Sequence, residues 1–193
     1  PGQGEMIYVV AADKKAVQRQ VDLFKQSKLK IRAIYIPELS LRNIVLQEGD
    51  TEGNLALLYM EKDKGYLLIF KKGDLCLSRK MRTGLTDFDK AGASNPESDI
   101  LETEDTTTPA LESVLLDLQR TFDYFESNFR SNPVATLLLA PQIGDVPELQ
   151  EFLGQNLDMS VRLLDIQGLM GQELSYREQG RYLFALGSSL KSG

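Results

Sequence analysis

Lys62 and Lys64 in the turn Met60-Glu61-Lys62-Asp63-Lys64 are side chains that could hold an anion, and a second turn, Ala140-Pro141-Gln142-Ile143-Gly144, follows a later apolar strand. Lys62 and Lys64 could neutralise a phosphate, but Glu61 beside them repels one, and lysines at a hairpin tip are commonly just solvated. In the second turn Pro141 removes an amide donor and restricts Ala140 before it, leaving Gly144 as the loop glycine. Elsewhere the repertoire is narrow. The chain has no histidine and a single cysteine, Cys76, which excludes an internal disulfide, Cys/His zinc sites and a histidine base. Cys76 lies in an apolar strand and reads as a buried, inert thiol. Acid–base work would fall to carboxylates, lysine or tyrosine. Asp13 and Asp165 stand near strand ends, but helix capping accounts for the first and a turn for the second. No aspartate sits in a glycine loop, so no catalytic or metal-binding residue is expected.

The 193 residues suffice for one large domain or two small lobes. Apolar residues make up 42% and charged residues 26%, as in an ordinary globular protein. A net charge of −6 argues against a basic nucleic-acid face. The basic residues gather only at Lys71-Lys72 and at Arg79, Lys80 and Arg82, too few to anchor the chain to anionic lipid. No apolar run approaches the roughly 20 residues of a membrane span. The sequence reads without a signal-peptide pattern, and Pro1-Gly2-Gln3-Gly4 without an initiator methionine reads as the start of an excised piece.

The elements that would carry these residues follow from periodicity. Met6 to Val10 reads as a buried strand, Asp13 as the cap of a helix with Val17, Val21, Phe24 and Leu29 on one face, and Ile31 to Ile36 as a second, parallel strand. Pro37 opens a short helix with Leu41, Ile44 and Val45 apolar. Gly49 to Gly53 is a polar break, taken as the domain boundary. Three tightly spaced strands are predicted at 54–61, 65–71 and 74–82, the middle one covered on both faces. Residues 84–108 are acidic and poor in large apolars, the composition of a mobile loop. Thr108-Pro109 starts a long helix striped by Leu111, Val114, Leu115, Leu118, Phe122, Phe125 and Phe129. A strand at 134–140, a helix opened by a capping-box-like Asp145-Val146-Pro147-Glu148, a strand at 160–164 and a helix at 173–190 complete the chain. Tyr182, Leu183, Leu186 and Leu190 are the apolar side of that last helix.

The order is βαβα followed by βββαβαβα, and the second part is that of a ribonuclease-H-like fold, of which actin-type ATPases contain two copies. The fold class expected is therefore α/β with a mixed sheet.

Six stretches carry a closer likeness. They are "AADKKAVQRQVDLFKQSKLKIRAIYIPELSLRNI", "LLIFKKGDLCLSRKM", "LLDLQRTFDYFES", "TLLLAP", "LQEFLGQNLDMSVRLLD" and "FALGSSLKS". In order and spacing they resemble the PilM family of type IV pilus assembly proteins, and within it the MSHA-type, secretion-protein-L-like branch. In the long helix Leu118, Gln119, Arg120, Asp123, Tyr124 and Glu126 are in step with the family pattern. The resemblance spans residues 6 to 191.

It implies an actin-like cytoplasmic protein at the bacterial inner membrane that docks a PilN-like membrane protein and meets other platform components. Residues 1–52 would be the end of a first actin-like lobe and 53–193 the second, with the tail-docking groove largely in the first. Some members bind ATP with magnesium. Their first hairpin turn is D-I-G, where the chain has Tyr59, Met60 and Glu61: tyrosine cannot hold a metal as a carboxylate does, and Glu61 carries a Cβ where phosphate must come close. Their adenosine turn is G-G-G-like, where the chain has Ala140, Pro141, Gln142 and Gly144. Two turns degraded in the same direction predict a scaffold with no nucleotide cofactor. An ATP-binding switch or ATPase is the alternative, and a sugar- or metabolite-kinase relative a third. Dimerisation is left open.

Overall fold

A computed structural model describes residues 9–49, 53–89 and 108–190. The chain divides into two compact units, Pro1–Tyr35 and Ile36–Gly193.

In the first unit, helix α1 (Lys14–Gln26) is capped by Asp13, whose side chain accepts from Ala16 N at 2.7 Å. It buries no residue. The strand expected at 31–36 does not form, and Val9 and Val10 of the other expected strand are not in a strand either; Met6 to Tyr8 lie outside the described residues. Ile31 and Ile34 have the β-branched side chains of a strand, yet both are exposed. Strand propensity measures fit to a neighbouring strand and a buried face; among the described residues no strand pairs with 31–36, and none of its side chains is fully buried.

The second unit is built on a five-stranded sheet, order β3-β2-β1-β4-β5. Strands β1 (Asn54–Met60), β2 (Gly65–Lys71) and β3 (Asp74–Met81) form an antiparallel meander, and β4 (Val134–Leu139) and β5 (Ser160–Leu163) continue it in parallel from β1. These bounds fall within a residue of the sequence reading. Between β2 and β3 the turn residues Lys72 and Gly73 both take positive φ, 51° and 79°. Glycine adopts that conformation freely.

Period-two alternation sorts the sheet's side chains onto two faces. Ala56, Leu58, Leu67, Ile69, Leu137 and Leu139 face one core. It is closed by α4 (Thr108–Phe129), through Val114, Leu118 and Phe125, and by α5 (Pro147–Asn156), through Leu149 and Leu153. Leu55, Leu57, Leu68, Phe70 and Leu138 face the other, closed by α2 (Pro37–Val45) and α7 (Tyr176–Ser189). Short helices α3 (Thr86–Asp89) and α6 (Gln167–Met170) complete the unit. The all-apolar run in β2 thus belongs to a strand covered on both faces, as its sequence predicts. Of the segment read as a loop, residues 90–107 lie outside the described residues, while Thr86–Asp89 is helical.

Three boundaries differ from expectation. The second unit begins at Ile36 rather than at residue 53. The cause is α2: Leu41, Ile44 and Val45 are buried in the second core, and Arg42 pins the helix to the β2–β3 turn through Gly73 O and Asp74 Oδ1, both at 2.8 Å. The polar break is a connection inside the unit, and its residues 50–52 lie outside the described ones. Second, Asp145 does not begin a capping box. Residues Pro141–Asp145 form a 3₁₀ turn, and α5 starts at Pro147 with Val146 as an N-cap that has no side-chain bond. Third, the last helix begins at Tyr176, where Ser175 and Glu178 form a reciprocal capping box. Along it Leu183 is buried and Tyr182 exposed.

Candidate functional site

The two turns singled out in the sequence lie at the same end of the sheet, since β1 and β4 are adjacent and parallel. The first is the β1–β2 tip. Tyr59 and Met60, at its entry, point into opposite cores and are 8% and 1% exposed. The Tyr59 ring meets Phe184 of α7 edge-on at 5.1 Å and stacks on Tyr66 at 6.2 Å. Burial first, then the charges at Glu61 and Tyr66, push its hydroxyl up to about 12, against a smaller downward pull from Lys64 and a hydrogen bond from Gln142.

The tip satisfies itself. Glu61 N donates to Lys64 O at 2.8 Å, and the Glu61 carboxylate pairs with Lys64 Nζ at 2.9 Å. That pairing raises the Lys64 ammonium above its ordinary range. Lys64 also lies 5.8 Å over the Tyr66 ring. The carbonyls of the tip are taken by the loop before α3: Leu85 N donates to Glu61 O, and Thr86 N and Oγ1 donate to Lys62 O. Gly84 permits this approach, because a Cβ there would fall 2.3 Å from Lys64 N. A phosphate loop presents backbone amides to its ligand; here the Glu61 amide is bonded within the turn.

The second turn follows β4. Ala140 is buried and its N–H donates to Leu58 O at 2.8 Å; Pro141 then opens the 3₁₀ turn. Gly144 is packed against a side chain of the same chain: a Cβ there would lie 2.6 Å from the Tyr176 ring. Reciprocally, Gly180 of α7 makes room for Gln142, whose Cγ would lie 2.7 Å from a Cβ at that position. Gln142 Oε1 is buried without a hydrogen-bond partner among the described residues.

Between the turns opens a cavity of about 580 Å³, lined by Lys62, Thr86, Gln142, Gly180, Arg177 and Arg181 among others. The two turns therefore do converge, but Lys64 is not part of the lining and no described carboxylate is. Arg177 and Arg181, which the sequence reading passed over, supply most of the positive charge. Their i, i+4 spacing on the last helix was the only signal, and nothing local says that this face would overlook the turns.

The remaining candidates are structural. Asp13 caps α1, and Asp165 Oδ1 accepts from Gln167 N at 2.9 Å in a turn. Cys76 is half-buried on β3, and burial pushes its thiol up, away from the reactive thiolate. Arg79 and Lys80 stand along β3, and Arg82 just beyond it is exposed. Among the described residues no cluster of carboxylates or thiols could hold a metal ion, and no helix is long and apolar enough to cross a membrane.

No family model matches the chain. No curated protein matches it either. Solved structures do. The chain superposes on the PilM–PilN type IV pilus biogenesis complex with a TM-score of 0.67 at 16% identity, covering 90% of this chain and 56% of that one. It superposes on the ethanolamine utilization protein EutJ from Carboxydothermus hydrogenoformans with a TM-score of 0.59 at 10% identity, covering 93% and 62%. The chain thus spans less than two thirds of the length of each. At such identities the likeness is one of architecture: the chain has the actin-like ATPase fold, an α/β arrangement on a mixed five-stranded sheet.

Proposed function

We propose that the chain is part of an actin-like scaffold of a type IV pilus assembly platform, of the MSHA-type, MshI-like branch, acting without catalysis. In this reading it works on the cytoplasmic side of the bacterial inner membrane and meets a PilN-like membrane protein together with other platform components. Support for the setting comes from the sequence motifs and from the fold likeness to a PilM–PilN complex. Support for a non-enzymatic role comes from one observation: both turns that face the cavity are closed by the chain's own groups. Glu61 and Lys64 satisfy the first, and the Tyr176 ring fills the space beside Gly144 in the second.

A nucleotide titration of the full-length protein followed by melting temperature tests this. No Mg-ATP-dependent shift is expected, whereas a ligand at about 100 times its Kd would stabilise the protein by about 2.7 kcal/mol. A clear shift would reverse the reading in favour of an ATP-binding switch. That second reading has its own observation, the cations Lys62, Arg177 and Arg181 around the cavity. For the partner, the chain should co-purify with the inner-membrane pilus complex, and complex assembly unimpaired by deleting this region would contradict the proposal.

A further inference from the structure

Helix α1 and the segment after it lack a surface that their residues call for. On α1, Val17 and Val21 are half-buried and Leu23 and Phe24 are 58% and 43% exposed, at helical spacing along one side. Lys15, Gln18, Arg19 and Asp22 occupy the other side. The segment Ile31-Arg32-Ala33-Ile34-Tyr35-Ile36 has apolar residues at both odd and even positions. A strand of that kind is covered on both faces and lies inside a sheet, with a neighbour on each edge. Ile31 and Ile34 are instead exposed, and among the described residues no strand pairs with the segment. Helix and segment, joined through residues 27–30, have the order of the second half of a βαβ unit, whose helix covers the sheet that its strand enters. One element meets both needs: a sheet that takes in 31–36 and turns an apolar face to α1.

We infer that this sheet comes from further chain of the same polypeptide, outside the 193 residues, and that 31–36 is one of its strands. Two observations favour that source. The superpositions on the two solved structures cover 90% and 93% of this chain, more than its second unit holds, so both run into the first unit. They cover only 56% and 62% of the matched chains, so the counterpart of the first unit there belongs to a longer chain. A second copy is the poorer occupant. It would bring the same uncovered helix and the same unpaired segment, not a sheet with strands for both edges. The lobe boundary expected from the sequence shifts accordingly: the part of the chain that needs the further sheet ends near residue 36, not at 52.

Hydrogen exchange, read by mass spectrometry on the full-length protein and on the 193-residue chain, tests it. The amides of 31–36 should exchange at least about 100-fold more slowly in the full-length protein, since opening there requires breaking a packed sheet. Strands β1 and β2 should be protected in both. In the full-length protein Ile34→Asp and Phe24→Asp should each remove the protection of 31–36, while Arg19→Asp, on the polar side of α1, should leave it. None of the three should shift the melting temperature of the 193-residue chain. Equally fast exchange of 31–36 in both proteins overturns the inference. So does protection in the 193-residue chain that rises with concentration alongside a dimer mass in light scattering, which makes a second copy the occupant. Protection that the full-length protein gains only in the co-purified inner-membrane complex overturns it as well, in favour of a partner. None of these outcomes touches the scaffold reading, which stands or falls on the Mg-ATP titration and the co-purification.

Discussion

Helix α1 runs 13 residues and buries none of them; helix α7 runs 14 and buries Gln179, Leu183 and Gly187. Both begin with a side-chain cap, Asp13 for one and Ser175 for the other. Both carry apolar residues at helical spacing. Phe24 on α1 nevertheless stays 43% exposed, while Leu183 on α7 is fully buried against the sheet. Capping and amphipathy make a helix; they do not supply the surface that it covers. In the second unit that surface is a sheet whose alternate side chains form a continuous apolar face, and α7 is fixed to it and to α2. Ser40 Oγ and Ser188 Oγ lie 2.9 Å apart, and Asn43 Nδ2 donates to Gly187 O at 2.9 Å.

The contrast can be broken by substitution, and the largest effect belongs on α7. Leu183→Ala should lower the unfolding free energy by about 3 kcal/mol in urea melts, the ordinary cost of an unfilled core leucine site. Gly187→Ala comes next. A Cβ there would fall 2.1 Å from Ser40 O, backbone that cannot step aside without moving α2. Overpacking should cost about 2 kcal/mol, even after the helix propensity gained over glycine.

Alkaline melts should register the sheet beneath α7. The Tyr59 hydroxyl is raised from 10.0 to about 12, chiefly by burial. The folded state then holds its proton more tightly than the unfolded one. Its contribution is complete below pH 10 and is lost as pH climbs toward 12. Tyr59→Phe should flatten that part of the stability profile. Little flattening would mean that Tyr59 ionises in its buried place as easily as in water.

The caps give the most direct comparison, because their bonds are alike and their settings are not. Ser175→Ala should cost about 1 kcal/mol of global stability. Asp13→Ala, and Phe24→Ser beside it, should change the cooperative melt of the second unit by less than about 0.5 kcal/mol. If Phe24→Ser instead lowered that melt as much as Leu183→Ala does, the two helices would not differ in the way their burial says.

Much of this was legible without coordinates. The meander was readable because Gly65 and the Lys72-Gly73 step punctuate three apolar runs. Helix α4 was readable because Leu111, Val114, Leu118, Phe122 and Phe125 keep a spacing of three and four and are buried as that spacing demands, with Leu115 half-buried beside them. The start of α5 was misread because Pro141 sets a 3₁₀ turn that consumes Asp145, and capping residues act only where the helix actually begins. Gln179 could not be found at all. It looks like a surface glutamine, yet it is fully buried, accepting from Ile166 N at 2.9 Å and donating to Leu174 O at 3.2 Å. Both partners are backbone groups outside the helix, and such bonds leave no mark in the side-chain pattern.

By itself the sequence determined the five strands and the longer helices α2, α4, α5 and α7 of the second unit, the absence of histidine and disulfide chemistry, and the absence of glycine from the first turn. These depend on residue type and on periods of two and about 3.6, which are written along the chain. Tertiary structure alone decided that α2 belongs to the sheet, that residues 31–36 form no strand, and that Arg177 and Arg181 overlook the two turns. Each of those depends on which surfaces meet. Parallel pairing of β1 with β4 brings both turns to one end of the sheet, and the docking of α7 sets its cations above them.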